Sequence, residues 1–576
     1  MKTIIKINTL LALLIINIGS YAQNEKKLDK EVEVIKAYQP NISDAQKIIS
    51  NPTISDTVNY SPTFDYRIYS KDIEVEKTIN HLPVVKLGTP PREKSNTGYA
   101  KAGFGNGITP YAELVINNSP TRNTDFGMHL FHYSSNPNTL LNNAIKTKVP
   151  YSKNMAKIFA KNYFRKSVLQ WDVAYQRERH NYYGFAGIDS VLYRQQEPIS
   201  TTLNTKQAFS KAAAKMNLYS TQVRTNFNYN VGLDYNYFWN ATGQSAHNAN
   251  YTGLYTTKYR KYKLNFDTHF GFYQQSNINH YFDGLLTSRH FFDLGITPEL
   301  VFNKTLYDFK AGVNLSALIN ADTTLLFNIS PKIYFAFHPL NEVLTLFIGT
   351  DGKLQANNYA QAISMNPYMN YQTDMRPSEE MISFYGGFKG KISRNISYVV
   401  DVNYSINKNL PFYYLSQTNT ASDTTVNNLF DIEYDNVNSI RFGGTLRYSS
   451  KPLTIELKGN YYVHQAKSLT TLSHTPDFEA SLFTSYQITQ KVRATLDSKI
   501  IGPRQAVYKV FEPTLTRDQI STLPTIIDIN LGAEYQFSKK LVFFTNASNI
   551  LNKKYEIWHG YNSPGLIVML GASYTF

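Results

Sequence analysis

The chain of 576 residues contains no cysteine. Disulfide bonds and thiolate-ligated metal sites are therefore excluded. Glycine is absent from Ser20 to Leu87, which argues against a compact domain of tight turns in that region. Long apolar runs are lacking as well. After the N-terminal segment the longest are pieces such as GLIVML at 565–570, far below the roughly 18–20 residues of a membrane helix.

The first 22 residues have the layout of a secretory signal peptide. Lys2 and Lys6 flank the short apolar stretch TLLALLIINI, and SYA at 20–22 offers a small-x-small cleavage site before Gln23. A retained membrane anchor is the alternative, but the apolar stretch is short and wrongly flanked for one. Since Gln23 is not cysteine, a lipid-anchored form is disfavoured. We predict that residues 1–22 are removed and that the mature chain is exported.

Aromatic residues are abundant, with 44 Tyr and 34 Phe. From about residue 97 onward, apolar and polar residues alternate along segments of about a dozen residues. The segments PLTIELKGNYYVHQ, YKLNFDTHFGF and IIDINLGAEYQF are examples. A period of two predicts β-strands, and these are longer than the five or six residues usual in soluble sheets. In an exported chain this pattern is typical of a membrane barrel with a lipid-facing apolar side and a wet lumen. A soluble sandwich also alternates and is the alternative.

Short and longer connections alternate along the chain, as they do in outer-membrane barrels. Counting back from Phe576 predicts 22 strands, the first at about 97–105. The predicted fold is an all-β, transmembrane antiparallel barrel over 97–576, preceded by a short periplasmic or lumenal segment over 23–96. The polar faces of the strands predict lumen-facing charged residues. These are Arg224, Lys263, Asp267, Glu456, Lys458, Asp528 and Glu534.

The formal net charge is +15. Export argues against nucleic acid as a partner, as does the lack of a Lys/Arg block in a recognisable binding fold. Positive charge suits a surface surrounded by anionic lipid and sugar phosphate, or a lumen that handles anions. A solvated basic surface is the simpler interpretation.

The C-terminal sequence LVFFTNASNILNKKYEIWHGYNSPGLIVMLGASYTF resembles the terminus of TonB-dependent receptors. The matching positions are Asn549, Ile550, Leu551, Asn552, Lys553, Tyr555, Pro564, Gly565, Gly571, Tyr574 and Phe576. The resemblance covers the barrel region, and the Asn- and Tyr-rich strands resemble those of the Bacteroidota. It implies a 22-stranded barrel of the outer membrane. It also implies that Gly571, Tyr574 and Phe576 form a signal read by the outer-membrane assembly machinery.

Near the mature N-terminus, KLDKEVEVIKAY resembles the TonB box of the same family. Val32, Val34, Ile35 and Ala37 would then pair by strand addition with a TonB-type energy-coupling protein. The family's plug domain of roughly 130 residues should follow, but only about 70 residues precede the first strand. We therefore predict a reduced plug over 23–94, within or lining the lumen and paired with its charges. A seal supplied by a partner protein is the alternative.

No catalytic constellation rises above chance. RERHNYYGF at 177–185 collects charged residues, but it is predicted to lie at the start of an outer loop. GFGNGI at 103–108 suits a hairpin turn better than a phosphate-binding loop. His129 and His132 are three apart and should point to opposite faces of a strand. We predict no enzymatic activity, no cofactor and no metal.

Two functions remain open. The first is uptake of an unidentified nutrient through a TonB-dependent receptor-like barrel, with or without a surface lipoprotein. The second is a non-transporting subunit or scaffold of an envelope complex for protein assembly or secretion, which the truncated plug favours.

Overall fold

The structure is a computed structural model. It describes residues 97–118, 123–140, 146–184, 206–221, 226–260, 262–279, 286–320, 325–370, 373, 375–420, 423–425, 429–511 and 516–576. The signal peptide, the TonB-box-like stretch and the predicted plug all lie outside these residues and stay predictions.

The barrel is a ring of 22 strands, numbered β1–β22 in chain order. Their bounds are Gly98–Gly105, Thr109–Asn117, Thr124–Ser135, Tyr151–Tyr163, Ser167–Asn181, Lys206–Ser220, Phe227–Asn240, Ser245–Tyr259, Tyr262–Asn279, Leu286–Asn303, Tyr307–Asn320, Leu325–Leu340, Leu344–Gln355, Ser378–Ser393, Ile396–Thr420, Phe430–Ser450, Leu453–Ala466, Phe478–Gln487, Val492–Ile501, Ile526–Gln536, Leu541–Ser548 and Ile567–Thr575.

Each strand pairs antiparallel with its neighbours in sequence, and the ring closes where β1 meets β22. Ala102 lies opposite Ala572 and Ala100 lies opposite Tyr574 in that seam. Closure leaves no free barrel edge, so the backbone groups of the wall are paired strand to strand around the ring apart from local bulges. The predicted fold class and strand number are confirmed, and the first strand begins one residue later than predicted.

The two faces of each strand differ as the alternation predicts. On β17, Leu457, Tyr461 and Val463 are exposed apolar residues on one face. Glu456 and Lys458 occupy the other face, because successive side chains of a strand point to opposite sides. Exposed apolar side chains recur around the whole ring, which gives the band that faces lipid in a membrane barrel.

Several smaller elements lie outside the ring. Helix α1 spans Tyr359–Met365 between β13 and β14. Four strand pairs or extensions accompany the loops: Asn138–Leu140 with Lys146–Lys148, Asp423–Thr425 on the end of β15, Arg504–Phe511 with Thr516–Leu523, and Glu556–Trp558 with Tyr561–Asn562. No helix of the described ranges is long and apolar enough to cross a membrane.

The two ends of the barrel are built differently. At the end where β1 starts and β22 finishes, the connections are short, and the longest are 118–123 and 221–226. The opposite end carries long connections such as 182–205, 356–377, 502–525 and 549–566. We call these the turn end and the loop end. Outer-membrane barrels place short turns in the periplasm and longer loops outside the cell.

Candidate functional site

The loop end holds the largest buried apolar cluster of the described residues, which we call the mouth cluster. Its buried members are Tyr183, Phe209, Phe238, Ala246, Tyr359, Ala362, Ile363, Met369, Tyr413, Leu415, Phe430 and Tyr561. They come from widely separated parts of the chain. Phe238 lies near the end of β7 and Phe430 begins β16, so the cluster joins strands from nearly opposite sides of the ring.

Tyr561 occupies the centre of the mouth cluster and is only 3% exposed. Its ring stacks on Tyr368 with centroids 3.6 Å apart, and it meets the edge of Tyr183 at 5.0 Å. The Tyr183 hydroxyl donates to the carbonyl of Asn562 at 2.9 Å. The small hairpin that carries Tyr561, which we call the 556–562 hairpin, thus ties together loops that follow β5, β13 and β21.

Helix α1 supplies a second wall of the cluster. Asn358 caps it, because its side-chain oxygen accepts the Gln361 N–H at 2.9 Å. The cap orients Tyr359 toward β7, where its ring meets Phe238 with centroids 5.7 Å apart. Asn240 donates its side-chain amide to the Tyr359 hydroxyl at 3.1 Å, so this buried phenol is hydrogen-bonded.

Charged and imidazole groups surround the base of the 556–562 hairpin. Arg504 is 5% exposed and donates to the carbonyls of Glu556 and Ile557 at 2.6 and 3.0 Å. The Nε2 atom of His474 accepts the backbone N–H of His559 at 3.1 Å. Burial, with Arg504 and His559 adding to it, lowers the pKa of His474 to about 3. His474 is therefore neutral at physiological pH, as its acceptor role requires.

The tyrosines of the cluster are neutral for the same reason. Burial raises the pKa of Tyr561 and of Tyr183 well above the usual range, and that of Tyr368 to about 12. These phenols act as hydrogen-bond donors within an apolar contact and not as bases. The mouth cluster is thus a packed, uncharged lid across the loop end. A solute arriving from that side would meet packed aromatic rings.

Beside the lid lies a polar cavity of about 560 Å³, between the 467–477 loop and the strand pair 504–523. Its lining includes Thr470, Asp477 and Gln505, whose side chains make no hydrogen bond with any described residue. Hydroxyl, carboxylate and amide groups of this kind can bind a polar solute from water.

Those predicted lumen residues that the structure describes lie on the strand face opposite the exposed apolar side chains. Lys263 and Asp267 alternate with Phe266 and Phe270 on β9, and Asp528 and Glu534 alternate with Leu531 and Tyr535 on β20. Arg224 lies outside the described residues.

The structure pairs several of these charges within the wall itself. Glu456 forms ion pairs with Lys458 and with Arg447, and Glu534 forms one with Arg493. Asp528 accepts the side-chain amide of Asn530 at 3.1 Å. Pairing of this face with residues 23–94 stays a prediction.

The three predicted residues of the terminal signal lie in the closing seam. The carbonyl of Phe576 accepts the N–H of Thr97 at 2.9 Å, and its own N–H donates to Gly98. Tyr574 is exposed on the apolar face. A Cβ on Gly571 would lie 2.3 Å from the ring of Phe544, so this glycine makes room for an aromatic ring. Recognition by assembly machinery stays a prediction.

Two expectations about motifs have clear outcomes. The GFGNGI stretch contains the last three residues of β1 and the turn at 106–108 that leads into β2, so the predicted hairpin turn is confirmed. RERHNYYGF was placed at the start of a loop, but β5 continues to Asn181 and includes its first five residues. Each residue of β5 up to Asn181 has a partner on β6, so the strand reaches further into this stretch than predicted.

Sequence reasoning did not find the mouth cluster. Its residues come from loops whose spatial proximity no local pattern encodes. The available signal was the aromatic richness of YEIWHGYN at 555–562, in the long connection before the last strand.

No group of three or more His, Cys, Asp or Glu side chains suited to a metal ion occurs in the part of the chain that the structure describes. His129 and His132 point to opposite faces as predicted. His129 contacts Glu113 at 2.9 Å, and His132 contacts Asn154 at 2.7 Å.

A closed barrel of 22 antiparallel strands, with short turns at one end and long loops at the other, is the architecture of large outer-membrane β-barrels. No protein-family model matches the chain, and no curated protein matches it in sequence.

Solved structures of such barrels are similar to it in fold. The pyoverdine outer membrane receptor FpvA from Pseudomonas aeruginosa PAO1 has a TM-score of 0.63 and 12% identity, over 85% of this chain and 79% of that one. The siderophore receptor PirA from Acinetobacter baumannii has a TM-score of 0.62 and 11% identity, over 84% of this chain and 81% of that one. The FrpB iron transporter from Neisseria meningitidis has a TM-score of 0.62 and 10% identity, over 84% of this chain and 82% of that one.

Proposed function

We propose that the protein is a receptor-like barrel of the outer membrane that takes up a solute through its lumen. The observation that carries the proposal is the barrel itself, whose fold is shared with proteins described as a pyoverdine receptor, a siderophore receptor and an iron transporter. The C-terminal resemblance to TonB-dependent receptors supports the same assignment. No enzymatic step is part of it.

The mouth cluster gives this proposal a physical requirement. On this proposal the 556–562 hairpin separates from Tyr368 and Tyr183 when solute enters from the loop end. The polar cavity beside the lid offers hydrogen-bonding groups where a solute could bind before that separation. Energy for opening would come from a TonB-type protein that pulls the N-terminal segment through Val32, Val34, Ile35 and Ala37.

Blocking strand addition at this segment tests the uptake proposal. Proline lacks the backbone N–H that a paired strand needs. Cells with Val34→Pro and Ile35→Pro should take up less labelled ferric siderophore than the parent. The control is Val34→Ile with Ile35→Val, which keeps β-branched residues and should behave as the parent. Unchanged uptake and growth across a panel of solutes in the proline variant would contradict energised transport.

A second candidate is a non-transporting subunit of an envelope complex. The observation that favours it is the packed lid, since a scaffold requires no route through the loop end. Purification of the full chain from membranes in mild detergent distinguishes the two. Stoichiometric partner proteins would support the scaffold, whereas a barrel that purifies alone would contradict it.

A further inference from the structure

The connections at the two ends of the barrel differ in charge as well as in length. Counted between the bounds of the 22 strands, the sequence of the turn-end connections holds twelve Lys or Arg residues and one acidic residue, Glu342. The sequence of the loop-end connections holds ten Lys or Arg and ten Asp or Glu. The positive excess of the connections therefore lies entirely at the turn end, although the turn-end connections are the shorter ones.

Nine of the turn-end cations lie among the described residues, and we call them the basic ring. They are Arg165, Lys166, Arg260, Lys304, Arg394, Lys451, Lys491, Lys539 and Lys540. All nine are exposed, and within the described part of the chain none has a carboxylate at ion-pair distance. The single acidic residue of these turns adds nothing to neutralise them, because Glu342 already pairs with the Nζ atom of Lys391 at 3.1 Å.

The cations of the basic ring lie close enough together to act as a group. Four successive turns, from β14 to β21, carry Arg394, Lys451, Lys491 and the pair Lys539 and Lys540. Strands lie about 4.8 Å apart, so turns that are two tilted strands apart stand roughly 12 Å from each other. The Debye length at physiological ionic strength is about 8 Å, so the potentials of neighbouring turns overlap in part. The turn end thus presents a band of positive potential.

Two neighbouring turns of this band are held in the same way. In the β18–β19 turn the Thr489 hydroxyl accepts the N–H groups of Lys491 and of the next residue, at 3.2 and 3.1 Å. In the β20–β21 turn the Ser538 hydroxyl accepts the N–H groups of Lys540 and of the next residue, also at 3.2 and 3.1 Å. Because the backbone that carries the lysines is already ordered, a partner binds them at a lower cost in conformational entropy.

The positive surface continues from the turns into the mouth of the barrel. Lys258 of β8 lies opposite Lys263 of β9, and both point into the lumen. Two further lysines on the lumen face share Tyr334: the Lys310 ammonium lies 5.7 Å from its ring centroid, and Lys389 donates to its hydroxyl at 3.4 Å. All four lysines are exposed, and none forms an ion pair with a described residue.

Neither the N-terminal segment nor the surrounding lipid accounts for this surface. Residues 23–96 hold eleven basic and eleven acidic residues in the sequence, so placing them against the basic ring would leave the net charge unchanged. Lipid headgroups surround the wall from outside, and lysines on the lumen face point away from them. An occupant that seats across the mouth contacts both the turns and the lumen-facing lysines.

We propose that the turn end is a docking surface for a periplasmic protein with an acidic face, which seats on the basic ring and covers the mouth. Carboxylates of that face pair with the turn cations and with lumen-facing lysines such as Lys258 and Lys310. Charge of one sign on the barrel steers such a partner toward it and disfavours basic proteins.

This docking proposal rests on the outer-membrane orientation of the barrel. It uses neither strand addition at residues 32–37 nor the identity of the solute. Docking that persists in the Val34→Pro, Ile35→Pro variant, or uptake that persists when docking is lost, separates it from the uptake proposal.

Photocrosslinking in cells that produce the full chain tests the surface. Benzoylphenylalanine replaces Gln490 or Asn395 in exposed turns, and Met365 at the loop end serves as the control position. We expect a periplasmic protein to be crosslinked at the two turn positions and not at Met365. Once purified, that protein should bind the detergent-purified barrel, with an affinity that falls by about tenfold or more when salt is raised from about 50 to about 300 mM.

Charge variants assign this binding to the basic ring. The turn variant changes four lysines to glutamine: Lys451→Gln, Lys491→Gln, Lys539→Gln and Lys540→Gln. Its affinity for the crosslinked protein should be lower by about tenfold or more, with a weaker dependence on salt. Arginine at the same four positions keeps the charge and should bind as the parent does.

A matched control removes the same charge from the loop end. Its four changes are at exposed lysines: Lys146→Gln, Lys148→Gln, Lys553→Gln and Lys554→Gln. This variant should bind as the parent does, and the heat-dependent gel shift shows that each variant has folded as a barrel.

Two results would overturn the docking proposal. The first is equal affinity of the parent and the turn variant for the crosslinked protein. The second is the absence of a crosslinked protein at both Gln490 and Asn395. If phosphatidylglycerol then copurifies with the parent and not with the turn variant, the basic ring binds anionic lipid instead of a protein.

Discussion

The ring of Tyr561 stacks on the ring of Tyr368, with centroids 3.6 Å apart and planes inclined by 19°. Tyr368 belongs to the connection between β13 and β14, and Tyr561 to the connection between β21 and β22. These loops are eight strands apart around the ring, so their contact crosses the mouth of the barrel. The contact explains how connections of moderate length close a wide opening: they share one apolar core at its centre.

Replacement of Tyr561 by alanine should loosen this core. Truncating a buried aromatic side chain costs about 3–5 kcal/mol, which corresponds to a loss of about 10²–10⁴ in local protection. Hydrogen exchange can follow two backbone amides of the lid. The Phe430 N–H donates to the carbonyl of Tyr368, and the Asn370 N–H donates to the carbonyl of Phe430. The control is Tyr461→Ala on the lipid-facing side of β17. Unchanged protection of both amides in Tyr561→Ala would contradict the role given to the stack.

Gly571→Val should destabilise the closing seam. The added side chain would meet the ring of Phe544 and the carbonyl of Ala102, each 2.3 Å from its Cβ. Overpacking of this kind costs about 1–3 kcal/mol. The midpoint of urea unfolding, read from the gel shift between folded and heated barrel, should fall.

Two further variants make the seam experiment specific. Gly444→Ala adds a Cβ where no atom lies within 4 Å, and its unfolding midpoint should not change. Phe544→Ala removes the ring that the valine meets, so Gly571→Val should lower the midpoint less in a Phe544→Ala background than in the parent. An equal loss in both backgrounds would show that the ring is not the cause.

Acidification should open the lid at His474. The folded lid holds the pKa of His474 at about 3, because burial, Arg504 and His559 disfavour its charged form, while the ordinary value is 6.5. Glu556 acts in the opposite direction and is a weaker influence. As the pH falls, His474 is therefore protonated at a higher pH in the opened lid than in the closed lid. The closed lid loses stability from about pH 6.5 downward.

Fluorescence can detect this transition. The chain has 3 tryptophans, and Trp558 lies 5.0 Å from His474 by ring centroids. With Trp171→Phe and Trp239→Phe, Trp558 reports on the lid alone. We expect a change in its emission between about pH 6.5 and 3 that His474→Gln shifts or removes. His290→Gln, outside the lid, should leave it unchanged. An identical transition with and without His474 would assign it to other groups.

The alternation of side chains along β17 and β20 was enough to predict the barrel, since which face a residue occupies follows from its position in a strand. The connection lengths added the strand number. The lid could not be predicted in this way, because the contact of Tyr561 with Tyr368 depends on where two distant loops meet. The end of β5 was missed for a simpler reason: the strand is longer than expected and continues through the first five residues of RERHNYYGF.

The central claim is that lipid surrounds the barrel and water fills it, so that neighbouring residues of one strand meet different solvents. Because the chain lacks cysteine, a spin label at Leu457→Cys or at Lys458→Cys in a bilayer reports on a single site. We predict that dissolved oxygen relaxes the label at 457 more strongly, and that a water-soluble nickel chelate relaxes the label at 458 more strongly. Equal accessibility at both sites, or the reverse order, would contradict the account.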